Sequence, residues 1–360
     1  MPIQLKTLRE DAHSRVRNVA AQLAFGAGVL PAQNTFARCI ESLVNTVKRV
    51  GNLYQNICKV ENIIAAFDEV CRNTKNKGKV YRYKKLKCIN IRKVYDTLIH
   101  HRYVVGDYNR FVIYEPKRRN VVSQGMFDKV VNHLVARHIL IPAIEKGLID
   151  ANVASRLDGG TGAGLKLFRR FNRICEEKYQ KFYVLKCDIK NFFGSINHDI
   201  LKDKLKRKIK DKDALQILFD IIDSEECGLG IGNMTSQILA VFYLDAMDKY
   251  IKEVLKIKYY VRYQDDFLLW HESKEYLRFC LEKIRVFLEK EGLTLNGKTR
   301  IFSGKENFIY LGRDKFGKYA RRRRIRRRIK KQKFLYESGK INLMGFVSCV
   351  VNYRALLEKR

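Results

Sequence analysis

The stretch YYVRYQDDFLLW, residues 259–270, sets two adjacent carboxylates, Asp265 and Asp266, inside a run with the apolar, aromatic and β-branched content of a strand. Burying an ionised carboxylate without a partner costs several kcal/mol, so this run needs a compensating cation. Arg262, three residues before Asp265, is one source of positive charge. A bound divalent ion is the other, and it would make the stretch a site.

A third carboxylate ends a second apolar strand, FYVLKCD at 182–188, and the residues after it, NFFGSI, are mostly aromatic or small. Neighbouring strand residues leave on opposite faces, so Asp265 and Asp266 cannot both aim at one point. A metal site there needs a carboxylate from an adjacent strand, and two strands side by side would bring Asp188 to Asp265. Mg²⁺ prefers oxygen ligands and keeps positions open for phosphate and water. Two such ions about 4 Å apart stabilise both the attacking and the leaving oxygen of a phosphoryl transfer. Asp188 alone reads better as an N-cap for the following turn. The specific signal is the combination of D-x-x-x-x-F at 188–193 with Y-x-D-D at 263–266.

Composition narrows the partner. The chain has 360 residues, 72 of them Lys or Arg against 38 Asp or Glu, a net charge of +34. Each phosphate neutralised by Lys or Arg releases condensed counterions, so this balance points to a nucleic acid. Hydrophobic residues make up 46% and aromatics 11%, the composition of a folded globular protein. No apolar run approaches the length of a membrane span, no lipidation motif is present, and MPIQLKTLREDAH lacks the apolar core of a secretory signal. The nine cysteines run from Cys39 to Cys349 without a Cys-x-x-Cys pair, as expected of reduced core thiols in a cytoplasmic protein. His100 and His101 are too close in sequence to chelate from one helix or strand face.

Four prolines and no Pro/Gly/Ser-rich linker imply closely packed units. Apolar spacing in FARCIESLVNTVKRVGNLYQNI, 36–57, predicts a helical N-terminal extension over 1–57. RFVIYEP at 110–116 predicts a short strand, and 126–149 a helix broken near Pro142. DGGTGAG at 158–164 precedes a helix but lacks the Lys-Ser/Thr ending of a phosphate-binding P-loop. GLGIGNMTSQILAVFYLDAMD at 228–248 is a Gly-rich turn opening a buried helix, followed by a hairpin, a helix over 273–291, and short strands around Arg300 and Ile309. In the tail, ten of the thirteen residues from Arg321 to Lys333 are basic. Ile325 and Ile329, four apart, give that helix one narrow packing stripe while the cations fan outward to track a phosphate backbone.

Asp188 with Phe193, GIGNMTSQ at 230–237 and YQDD at 263–266 resemble the polymerase motifs of reverse transcriptases. The resemblance runs from about residue 58 to the end. FVIYEPKRRNVV at 111–122 and FDKVVNHLVARHILIPAIEKGLI at 127–149 look like the finger motifs, and LTLNGKTRIF at 293–302 and NFIYLGRDKF at 307–316 like the later palm motifs. The form IGN-x-TSQ, together with EPK-x-R at 115–119, resembles the enzymes of diversity-generating retroelements. A defence-associated bacterial reverse transcriptase working with a non-coding RNA and a partner protein is the alternative. DGGTGAG and Gln264 depart from the retroelement pattern.

The resemblance implies an α+β right-hand fold: an extension over 1–57, fingers and the start of the palm over 58–180, a palm with an antiparallel sheet on helices over 181–318, and a basic helical thumb over 319–360. It implies cDNA synthesis from a template RNA, with errors at template adenines, in a bacterial or phage-encoded cytoplasmic enzyme. Asp188, Asp265 and Asp266, with the carbonyl of Ile189, would hold two Mg²⁺ ions, Mn²⁺ being a substitute. Lys117 and Arg119 would meet the dNTP triphosphate, and Phe193 would exclude a 2′-hydroxyl. Ile231, Gly232, Asn233, Ser236 and Gln237 would lie along the nascent base pair, with Ile231 and Arg119 at positions tied to infidelity. Lys298 is a candidate to protonate pyrophosphate, or a solvated surface lysine. Leu311 and Gly312 would grip the primer, and Arg321, Arg322, Arg323, Arg324, Arg326, Arg327 and Arg328 would follow the primer–template. The implied partners are template RNA, the cDNA product, dNTPs and a small accessory protein.

Overall fold

The computed structural model describes residues 49–113, 119–156, 158–317 and 321–358. Most of the expected helical extension over 1–57 lies outside the described residues; at its end Tyr54–Ile57 forms the short helix α1. Three helices follow: α2 (Val60–Asn73), α3 (Lys77–Lys85) and α4 (Lys87–Ile99). Ile63, Ala66, Phe67 and Val70 recur at helical spacing and bury one face of α2. Asn76 caps α3 by accepting a hydrogen bond from the Lys79 N–H at 3.0 Å.

Strands β1 (Asn109–Ile113) and β2 (Arg119–Ser123) form an antiparallel hairpin, placing Arg110 opposite Val122. Helix α5 (Met126–Val135) passes through a π-helical turn, Ala136–Leu140, into α6 (Ile141–Ile144). The break expected near Pro142 is thus a change of helical pitch rather than an end. The wide turn accommodates the proline, which sits in the first turn of α6 where its missing N–H costs least.

Helix α7 (Thr161–Lys178) leads into β3 (Tyr183–Asp188). Then come α8 (His198–Lys208), α9 (Lys212–Asp223), α10 (Met234–Tyr243) and α11 (Asp245–Lys249). The hairpin β4 (Tyr259–Tyr263) and β5 (Asp266–His271), helix α12 (Lys274–Lys290) and β6 (Arg300–Ser303) complete a four-stranded sheet. Its order is β4-β5-β3-β6 and every pairing is antiparallel. The central strand β5 is buried along Phe267–Trp270 because helices cover both faces. On one face Val184, Val261, Leu268 and Trp270 pack with Phe168 and Cys175 of α7; α12 packs against β3 and β5. This is the α+β architecture, an antiparallel sheet packed on helices, that the sequence implied.

Around Ile309 the outcome differs from expectation. Tyr310 and Arg313 exchange backbone hydrogen bonds of 2.9 and 3.0 Å. Leu311 and Gly312 occupy the tip with φ of +48° and +81°, the left-handed pair of a tight two-residue turn, so the chain reverses there instead of adding a strand. The last helices are α13 (Arg321–Glu337) and α14 (Leu343–Glu358), packed on each other.

Candidate active site

Antiparallel register decides how the three carboxylates meet. Asp188, the last residue of β3, lies directly opposite Asp266, the first residue of β5. Residues 184, 186 and 188 of β3 share one face by strand alternation, as do 266, 268 and 270 of β5. Asp188 and Asp266 therefore end two strands on the face covered by α7. Asp265 is not a strand residue: Tyr263 pairs with Asp266, leaving Gln264 and Asp265 as the two-residue turn of the β4–β5 hairpin. The direct strand partner of Asp188 is thus Asp266, not the expected Asp265. Asp265 reaches β3 through its backbone, its carbonyl accepting the Ile189 N–H at 3.2 Å.

The charge question posed by YYVRYQDDFLLW has two answers. Lys186, on the same face of β3, donates to both oxygens of Asp266 at 2.7 and 2.8 Å, and its ammonium lies 5.4 Å from the centre of the Tyr310 ring. Arg262 serves elsewhere. Fully buried, it forms a bidentate pair with Asp248, which also accepts from the Tyr260 hydroxyl at 2.7 Å. The same guanidinium donates to the Gln264 carbonyl at 3.2 Å and the Val241 carbonyl at 3.1 Å, fastening the β4–β5 turn to α10. Burial pushes the Asp248 carboxyl up, and the adjoining guanidinium opposes that push.

Each neighbour of the turn has a definite hold. Gln264 adopts φ +55° and Ser155 φ +53°, both left-handed, conformations that cost non-glycine residues about 1–3 kcal/mol each. The Gln264 amide donates to Ser155 Oγ at 3.0 Å and to the Gln237 carbonyl at 3.4 Å, so the two strained residues are tied together. Asn296 grips Asp188 twice, with its backbone N–H on the carbonyl at 2.7 Å and its side-chain amide on Oδ2 at 2.9 Å. Its Oδ1 accepts the Lys298 N–H at 3.2 Å, which places exposed Lys298 beside this corner.

Other expected site residues converge through backbone contacts. The Phe193 carbonyl accepts the Leu229 N–H at 2.7 Å. A Cβ at Gly228, φ +67°, would stand 2.3 Å from that carbonyl, so only glycine permits the approach. The Val122 N–H donates to the Ile231 carbonyl at 3.0 Å, docking β2 on the IGN turn. Gly232 allows the Val122 carbonyl equally close, 2.5 Å from where a Cβ would stand. Asn233 and Ser236 are buried beside it, and Tyr310 brings Leu311 and Gly312 toward Lys186. Ile189 is buried and bridges Leu295. Lys117 lies outside the described residues, as do the side chains of Arg119 and Arg321–Arg324. In α13 Ile325 is buried, Ile329 half-buried, and Arg326 and Arg327 are exposed, matching the expected stripe.

Sequence reasoning missed Lys186, Asp248, Ser155 and Asn296. Lys186 was accessible: two residues before Asp188, it must share that strand face. The other three act across loops and helices, where spacing carries no signal.

Burial raises the Asp266 carboxyl from 3.8 to about 6; Lys186 opposes the shift, and Asp188 and Asp265 add to it. Three negative charges thus crowd a corner answered by one ammonium, and their hard oxygens suit a divalent cation. Among the described residues, no group of three or more His, Cys, Asp or Glu side chains is arranged to hold a metal. The carboxylates at this corner are Asp188, held by Asn296, Asp266, held by Lys186, and Asp265 in the adjoining turn. The raised carboxyl also fixes a pH dependence. Folding stability from the protonated form is complete below about 4 and is lost as pH rises through about 6. Relative to Asp266→Asn, the wild-type chain should lose up to about 3 kcal/mol across that window, read as a widening gap in thermal midpoint. A gap independent of pH would contradict the assignment.

Residues 115–314, more than half of the chain, match the model of the family described as reverse transcriptase (RNA-dependent DNA polymerase). The chain belongs to the reverse transcriptase family. Both carboxylate strands and the IGNMTSQ turn of this reverse transcriptase domain fall within the match. No curated protein matches the sequence. Among solved structures, the chain is similar to telomerase from Candida albicans in complex with a TWJ fragment of telomeric RNA, at 13% identity and TM-score 0.46, over 60% of this chain and 46% of that one. It is also similar to telomerase from Candida tropicalis in complex with a TWJ fragment, at 14% identity and TM-score 0.45, over 77% and 56% of the two chains. The chain spans about half the length of the telomerase chains it matches.

Proposed function

We propose that this chain is an RNA-directed DNA polymerase that copies a template RNA into cDNA, built as a right hand. In this reading the fingers and start of the palm span 58–180, the palm 181–318 and the thumb 319–360, after an extension over 1–57. The observation that carries it is the cross-strand meeting of Asp188 and Asp266 beside the Asp265 turn, within a region that matches the reverse transcriptase family.

Asp188 and Asp265 would hold divalent cations, Mg²⁺ or Mn²⁺, which when bound supply charge neutralisation for phosphoryl transfer. Ile189 would contribute its carbonyl, and Lys186 donates to both oxygens of Asp266. Asn296 holds Oδ2 of Asp188 and so fixes the carboxylate plane. Lys117 and Arg119 meet the triphosphate, and Ile231, Gly232 and Gln237 line the nascent base pair. Leu311 and Gly312 carry the primer end, and the cations of α13 follow the duplex. Lys298, whose backbone N–H is bound by Asn296, would be the candidate to deliver a proton to pyrophosphate.

Two expected outcomes test individual roles. Asn296→Ala should lower kcat by about 10–100-fold, as loss of an outer-shell partner does, without weakening RNA affinity. Parallel loss of affinity would mean Asn296 only maintains the fold. Phe193→Ala should raise the use of rNTPs relative to dNTPs by about 10–100-fold, the discrimination a shape-based contact supplies. An unchanged ratio in single-nucleotide extension would remove Phe193 from the sugar pocket.

We further read the enzyme as the error-prone polymerase of a diversity-generating retroelement, on the strength of IGNMTSQ and EPKRR. The second reading, a defence enzyme with a non-coding RNA and a partner protein, draws on DGGTGAG and on Gln264, which is bound to Ser155. Sequencing the cDNA made on a defined RNA template separates them. Errors concentrated at template adenines support diversification, and accurate copying supports defence.

A further inference from the structure

His198 is the first residue of α8, the helix that follows the Phe193 turn. Asn197 caps that helix, accepting the Ile200 N–H at 3.1 Å. A side chain in the first helical turn leans back toward the N-terminus, so the His198 ring turns toward the loop after α9. It is only 15% exposed. Its Nε2 lies 2.7 Å from the Gly228 carbonyl, and because a carbonyl only accepts, the ring donates there. On the other side Nδ1 stands 3.3 Å from Oδ1 of Asp223, the last residue of α9. Lys202 donates to Oδ2 of the same carboxylate at 2.6 Å. The imidazole is thus fixed between a carboxylate and a carbonyl.

The Gly228 carbonyl and the Leu229 N–H belong to one peptide unit. Its oxygen accepts from His198, and its N–H donates to the Phe193 carbonyl at 2.7 Å. A peptide bonded at both ends is polarised, and each bond strengthens the other. The plane cannot rotate without breaking both. Rotation is otherwise cheap here, because Gly228 has φ +67° and no side chain to resist it. The preceding Glu226 and Cys227 are exposed. Further back, the loop is tied at Ser224 to the Tyr108 hydroxyl at 2.8 Å and at Glu225 to Arg110 at 2.9 Å.

Phe193 depends on the same contact. It begins a three-residue 3₁₀ turn, Phe193–Ser195, that has no side-chain cap. Its ring, half-buried, meets Phe192 edge-on at 5.7 Å. Gly194, next in the turn, lies so close to Gly228 that a Cβ on Gly228 would strike it. A shift of the 228–229 peptide therefore moves the backbone that aims the Phe193 ring.

We infer that His198 is a positioning residue for sugar selection. Through the 228–229 peptide it holds the Phe193 backbone where the ring meets the 2′ position of an incoming nucleotide. The role rests on the polymerase reading and deepens it: Phe193 supplies the bulk, and His198 supplies its place. Placement matters because a displacement of about 1 Å at such a contact is enough to change rates severely.

The test is single-nucleotide extension on an RNA template, reading the use of rNTPs relative to dNTPs in the full chain and its variants. The amide nitrogen of Gln reaches the place of Nε2, and that of Asn only the place of Nδ1. His198→Asn should therefore raise relative rNTP use by about fivefold, the scale of one lost hydrogen bond, and His198→Gln should return it toward the wild-type ratio. Phe193→Ala/His198→Asn should be no less selective than Phe193→Ala alone, because without the ring its placement has no effect. A general loss of structure would instead multiply the two effects and would not be rescued by Gln. Asp223→Ala, at a half-exposed position, should shift the ratio in the same direction, since the imidazole loses its second hold. A wild-type ratio in folded His198→Asn would overturn the role, as would a wild-type ratio in Asp223→Ala if His198→Asn did not fold. Multiplying effects in the double variant would overturn it too. A shift in Phe193→Ala alone would remove only His198. An unchanged ratio in Phe193→Ala would remove the sugar pocket and this role with it, and a wild-type chain that extends with neither substrate would fail the polymerase reading itself.

Discussion

Replacing Asp265 by Asn should lower cDNA synthesis by at least about 1,000-fold, equivalent to roughly 4 kcal/mol of lost transition-state stabilisation. The substitution keeps the size and most of the hydrogen-bonding capacity of the side chain, and the backbone bond from Ile189 to the residue 265 carbonyl is untouched. The hairpin should therefore keep its shape, and RNA affinity and thermal midpoint should stay near wild type. Single-turnover primer extension measures the loss, and filter binding on the same template measures the affinity. If binding and synthesis fell together, Asp265 would be a residue of the fold and not of the chemistry.

The second large effect is on stability. Arg262 and Asp248 are both completely buried and bonded to each other by two contacts. Removing one member of such a pair leaves an uncompensated charge, at a cost of about 3–5 kcal/mol. Arg262→Met also deletes the donors to the Gln264 and Val241 carbonyls, so the turn carrying Asp265 loses its anchor to α10. Denaturant unfolding should show the full loss in Arg262→Met. The double variant Arg262→Met/Asp248→Leu should regain a substantial part of it, because neither charge is then left alone. A double variant that recovers nothing over the single one would mean that the hydrogen bonds to the carbonyls, and not the charge pair, dominate.

Much of the architecture was legible because it follows from local patterns. The apolar runs ending at Asp188 and flanking Asp266 became the two central strands of the sheet, since both faces of β5 are buried and such strands read as continuous apolar segments. The Gly-rich stretch 228–233 became a turn, for backbone reasons seen at Gly228 and Gly232. Register was not legible. A one-residue difference decides whether Asp265 or Asp266 faces Asp188, and only the two-residue turn at Gln264–Asp265 fixes it.

The partner of Arg262 was hidden for a related reason. Proximity in sequence pointed to the aspartates of the turn, yet strand direction sends the guanidinium to Asp248, on a helix fourteen residues earlier. The pitch change before Pro142 and the turn at Leu311–Gly312 show the same limit. Propensity locates an irregularity, and packing determines its form.

The central claim is that Asp188 and Asp265 form the metal-dependent site of a polymerase that copies RNA. Its most direct measurement is extension of a DNA primer on an RNA template by the purified chain with dNTPs and Mg²⁺, beside Asp188→Asn and Asp265→Asn at matched RNA occupancy. Product from the wild-type chain that disappears with a chelator and in both variants is the predicted result. Equal product from either variant, or RNA-bound wild-type protein that yields none, would contradict it.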